Sequence, residues 1–66
     1  MTITKTRKYS WGKLTIKADM AQASSPIKYS TDGEDFDSTP LQVADSQHDW
    51  RKAFSLVNQW LKGQAA

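Results

Sequence analysis

The chain has 66 residues, no cysteine, a formal charge of +2 and 38% hydrophobic residues. A single domain of this size buries only about 60% of the surface its unfolded chain exposes, so its core must come from a few large side chains. The lack of cysteine excludes disulfides, thiolate nucleophiles, Cys-based zinc sites and redox chemistry, and the modest charge falls short of the strongly basic surface of a dedicated nucleic-acid binder.

Residues 1–6 alternate only weakly through Ile3, as either a frayed end or the lead-in to a strand. Residues 8–18, KYSWGKLTIKA, are rich in aromatic and β-branched side chains, with Leu14, Ile16 and Ala18 on one face by strict alternation. Gly12 interrupts this first strand as a bulge would. Such a bulge shifts the parity and turns Tyr9 and Trp11 inward, the reading favoured because two buried aromatics contribute several kcal/mol to a small core. DMAQASS, residues 19–25, is small and polar and reads as a surface connection.

Pro26 opens a second strand over about 26–31, and a third follows over about 34–39. Asp32-Gly33 between them reads as a two-residue hairpin turn, with positive φ expected at Gly33. That turn sets Tyr29 opposite Phe36 and Lys28 opposite Asp37, an aromatic pair on one face and an ion pair on the other. Pro40 ends or bends the strand, and Leu41 and Val43 lead towards a helix.

The helix, about 46–62, is the most periodic element. Trp50, Ala53, Phe54, Val57, Trp60 and Leu61 fall within one apolar stripe, while His48, Arg51, Lys52, Ser55, Asn58, Gln59 and Lys62 take the wet side. Asp45 or Ser46 is the expected cap and Gly63 the expected stop, leaving 64–66 frayed. The expected fold is α+β: a three-stranded antiparallel sheet with one C-terminal helix packed on one face, a single domain over 1–66.

Chemistry is sparse in this pattern. His48 is the only histidine and lies in an exposed first turn, with no oxyanion motif near Ser46 or Ser55. The run Asp32, Glu34, Asp35 and Asp37 lacks the glycine and glutamate spacing of a calcium loop and is better explained as an acidic turn surface. No catalytic residue, metal or cofactor is therefore expected, and the chain is read as not an enzyme.

The charges are sorted along the chain: basic at the N-terminal strand, acidic in the hairpin, basic again on the helix. Arg7, Lys8, Trp11 and Lys13, with Arg51 and Lys52, are the candidate partner-binding residues. The expected function is a regulatory interaction module binding a protein through a bipolar surface with aromatic anchors, such as an inhibitor or accessory protein of a mobile element. The alternative is a nucleic-acid binder using the basic and aromatic strand and the sheet. In architecture, three strands and a closing helix resemble the DNA-binding domains of a class of plant regulators and the arm-site domains of tyrosine integrases, which would imply a sheet laid in a DNA groove. A monomer or weak homodimer in a reducing cytoplasm is expected, and with no long apolar run neither signal peptide nor membrane association.

Overall fold

The structure, a computed structural model, describes residues 1–65. Strands β1 (Ile3–Tyr9), β2 (Gly12–Ala18), β3 (Pro26–Ser30) and β4 (Asp37–Gln42) form one antiparallel sheet in the order β1-β2-β3-β4. The C-terminal helix α1 (Trp50–Ala65) packs on one face. The expected three strands are thus corrected to four within the same α+β class. Residues 8–18 are not one strand, because the chain reverses at Ser10-Trp11 and pairs Tyr9 with Gly12 and Ile3 with Ala18. Gly12 leaves that reversal at φ +142°, a backbone conformation that side-chain-bearing residues rarely adopt. The glycine closes a hairpin and makes no bulge. Residues 3–6 belong to β1, an edge strand in which only Tyr9 is even half-buried, so its apolar signal is weak. Lys5, Arg7 and Lys8 suit such an edge because they discourage pairing with another chain.

The core is made by Leu14, Ile16 and Ala18 of β2, Ile27 of β3, Val43, and Ala53, Phe54 and Val57 of α1, all nearly fully buried. Burying each larger side chain contributes about 1.5–3 kcal/mol. Trp50 and Leu61 pack half-buried against this cluster, and Trp60 meets Tyr29 edge-on with ring centroids 5.4 Å apart. Because directly paired residues share a face, Ile3, Lys5, Arg7 and Tyr9 lie on the helix side with Leu14, Ile16 and Ala18. Thr4, Thr6 and Lys8 lie on the open side with Lys13, Thr15 and Lys17.

The β3–β4 register differs by one residue from that of a tight turn. Lys28 stands opposite Ser38 and Tyr29 opposite Asp37, so neither the Lys28–Asp37 nor the Tyr29–Phe36 pair forms. The cause is local hydrogen bonding. Asp32 Oδ1 accepts from the Ser30 hydroxyl at 2.7 Å and from the N–H groups of Glu34 and Asp35 at 2.8 and 3.0 Å, while the Gly33 N–H donates to Ser30 Oγ at 2.8 Å. This web holds a longer connection over residues 31–36, with Gly33 at φ +81°. A one-residue shift exchanges the faces of every following side chain. Phe36 accordingly leaves the helix side and lies beneath the Lys17 ammonium, 5.4 Å from its ring centroid.

The approach to α1 also departs from expectation. Val43–Ser46 is a 3-10 turn in which Asp45 accepts from the Gln42 N–H at 2.8 Å and the Ser46 hydroxyl donates to the Val43 carbonyl at 2.7 Å. Both expected caps are therefore engaged one element early. Gln47 and His48 follow at φ 54° and 60°, and the cap of α1 is Asp49, whose Oδ1 accepts from the Arg51 N–H at 2.9 Å. Gly63 does not stop the helix, which continues through Gln64 to Ala65; of the tail expected to fray, Ala66 lies outside the described residues.

Candidate binding surfaces

The β1–β2 turn places Trp11 on the helix side, 45% exposed. Its indole N–H donates to Asn58 Oδ1 at 3.0 Å, and its ring stacks on Tyr9 with centroids 5.8 Å apart and planes 3° from parallel. Arg7 continues the ladder, its guanidinium 5.7 Å from the centre of the Tyr9 ring. Tyr9 turns inward as expected, whereas Trp11 does not enter the core. Instead it forms one wall of a groove of about 390 Å³ whose other walls are Thr31, Asn58, Leu61 and Lys62. Lys62 supplies positive charge on one side, and the acidic loop of Asp32, Glu34 and Asp35 begins directly after Thr31 on the other. A fixed aromatic thus sits at the seam between the two charge populations.

The open face of the sheet has a different character. Register aligns Thr4, Lys17, Lys28 and Ser38 in one row across all four strands, two ammonium groups flanked by two hydroxyls. Beside it a hollow of about 230 Å³ is lined by Thr2, Lys17, Ser25 and Lys28. Like charges placed directly opposite across strands are destabilising, and this face has two such pairs, Lys8 with Lys13 and Lys17 with Lys28. The pairs are not equivalent, since Lys13 lies at the end of the sheet from which the acidic loop springs. Asp19, the acid nearest Lys17 in sequence, accepts from the Met1 amino group and from the Ala21 N–H, each at 3.0 Å. The amino group beside Asp19 lowers its pKa, with a smaller contribution from that N–H.

The six basic and aromatic residues singled out in the sequence therefore do not form one surface. Arg7 and Trp11 share the helix side, Lys8 and Lys13 the open side, and Arg51 and Lys52 begin α1, where Lys52 donates to the Gln47 side chain. At about 1.5 Å per residue, Lys52 is about 15 Å along the helix from Lys62. Among the acids, Asp32, Glu34 and Asp35 share the loop, but Asp37 opens β4 on the helix side. Hydrogen bonds from Ser30, then from the Asp35 and Glu34 N–H groups, hold the Asp32 carboxyl at a pKa of about 2. Its chelated oxygen is committed to loop structure. Sequence reasoning gave no binding role to Asn58, Leu61, Lys62, Lys17 or Lys28. Nothing in the sequence links Trp11 to Asn58, whereas the lysine row follows from strand alternation once the register is known.

His48 Nδ1 lies 2.6 Å from the Met20 carbonyl, which can only accept, so this nitrogen carries the proton. Ser46 is buried, and its hydroxyl donates to the Val43 carbonyl. Among the described residues no three His, Asp or Glu side chains converge as a metal site, and no helix is long and apolar enough to cross a membrane. Compared with protein-family models, curated proteins and solved structures, the chain has no significant match to any.

Proposed function

We propose that this chain is a small non-enzymatic interaction module that binds another protein through the Trp11 groove, acting in the cytoplasm as an inhibitor or accessory factor. The carrying observation is that Trp11 is 45% exposed and yet fixed, by Asn58 on one side and Tyr9 on the other. An exposed tryptophan held in one orientation loses little entropy on binding, and tryptophan and arginine dominate the hot spots of protein interfaces. The charge arrangement supports the same reading. With Lys62 in its wall and the loop of Asp32, Glu34 and Asp35 following Thr31, the groove favours a protein surface whose charges are sorted in the opposite sense. A nucleic-acid backbone would meet the acidic loop here. The alternative surface of interleaved bases and aromatics has less support, because β1 divides those side chains between two faces.

The test is capture from native lysate by immobilised wild-type chain and by the Trp11→Ala, Arg7→Ala double variant, with circular dichroism confirming that the variant is folded. The expected result is a specific protein retained by wild type and lost from the variant. Equal retention by both, or recovery of nucleic acid alone, overturns the reading.

A further inference from the structure

From the Thr4–Lys17–Lys28–Ser38 row we infer a second binding surface, on the open face of the sheet, for single-stranded nucleic acid. Three features converge on this row. The two ammonium groups are cross-strand neighbours, which raises positive charge density at a cost to the fold, and neither is ion-paired among the described residues. Hydroxyls of Thr4 and Ser38 flank them in register, and those of Thr2 and Ser25 line the adjoining hollow. Phe36 lies on the same face beneath Lys17. The nearest acid on this face is Asp32, whose carboxylate is held by the Ser30 hydroxyl, two residues or about 7 Å along β3 from Lys28.

This combination matches the parts of a nucleotide. The two non-bridging oxygens of a phosphodiester can accept from both ammonium groups at once, the hydroxyls can donate to phosphate or sugar oxygens, and an aromatic ring beside them can stack a base. A carboxylate-bearing peptide would use the charges but leave the aromatic and the row of hydroxyls without a role. Dimensions decide between one strand and two. Four strands at about 4.8 Å spacing span about 14 Å before side chains are added, wider than the roughly 12 Å major groove, so this face cannot enter a duplex as a two-stranded ribbon does. A single strand can lie flat across it. Because the groove at Trp11 is on the other side of the sheet, the two surfaces can be occupied together and fail separately.

The experiment is fluorescence anisotropy with a labelled oligothymidine and with a mixed-sequence duplex of the same length, titrated with the full chain between about 50 and 200 mM salt. Each phosphate neutralised on a single strand contributes about −0.7 to the slope of log affinity against log salt, so the two lysines alone produce about a sevenfold loss over that range. The expected result is binding of the oligothymidine in preference to the duplex. The Lys17→Ala, Lys28→Ala variant should flatten the slope by about 1.4, while the Arg51→Ala, Lys52→Ala variant, with the same change in net charge, should leave it nearly intact. Absence of binding, preference for duplex, or equal effects of the two double variants overturns the inference. Phe36→Leu separates stacking from charge: it should weaken binding without changing the salt slope.

Discussion

Replacing Lys28 by Glu should make this protein more stable, although the substitution reverses a charge on an exposed strand. Lys28 and Lys17 are directly paired across β3 and β2, and Lys28 faces Ser38 on its other side, so no partner is lost. A like-charge cross-strand pair is destabilising and an opposite-charge pair contributes about 0.2–1 kcal/mol, so the exchange removes one effect and adds the other. Solvent exposure limits the return, because ion pairs at surfaces are rarely worth more than about 1 kcal/mol. A gain of about 0.5–1 kcal/mol remains, which in a domain of this size raises the melting temperature by about 2–8 °C. Thermal unfolding followed by far-UV circular dichroism measures it, with Lys28→Gln expected to fall between wild type and Lys28→Glu. In about 1 M salt, where the Debye length is about 3 Å, the differences should largely vanish. An unchanged or lower melting temperature for Lys28→Glu at low salt would refute the claim that the fold is strained by this pair. The same variant should lose single-strand binding, as expected where stability is sacrificed at a functional surface.

Phe54→Ala should cost about 3–5 kcal/mol, comparable to the total stability of so small a domain, and abolish the cooperative melt. Gln47→Gly should raise stability by about 1 kcal/mol in chemical denaturation, since Gln47 holds φ 54° and a glycine is unstrained there. Asp32 has a folded pKa lowered to about 2, so its contribution is present above the unfolded value near 3.9 and is lost as pH falls from about 4 to about 2. Asp32→Asn should remove that part of the acid dependence of the melting temperature; an unaltered acid limb would show that the loop web contributes nothing.

Much of the fold is legible in the sequence because its signals are local and periodic. The stripe from Trp50 to Leu61 and the alternation of Leu14, Ile16 and Ala18 each report one buried face, and both faces meet in the core. β1 gives no such signal, because its side chains are exposed on both faces except for the half-buried Tyr9. The two turns fail for another reason. Gly12 is equally good at ending a hairpin and at making a bulge, and only the partner strand decides between them. At Asp32-Gly33 the pair chemistry of Tyr29 with Phe36 and Lys28 with Asp37 argued for a tight turn, but the Ser30 hydroxyl and Asp32 carboxylate together satisfy enough backbone N–H groups to favour a longer loop. The candidate groove was half legible. Trp11 stands out by type, whereas Asn58 and Lys62 acquire meaning only when α1 is laid beside the β1–β2 turn.

The proposed division of the molecule into a protein-binding side and a phosphate-binding side depends on the β3–β4 register, which decides whether an acid or a hydroxyl stands beside Lys28. Nuclear Overhauser contacts in the isotopically labelled chain measure that register directly. The account predicts cross-strand backbone contacts between Lys28 and Ser38 and between Tyr29 and Asp37, with Phe36 ring protons close to the Lys17 side chain. Contacts of Lys28 with Asp37 and of Tyr29 with Phe36, with the Phe36 ring against the helix, would place a carboxylate in the lysine row and contradict it.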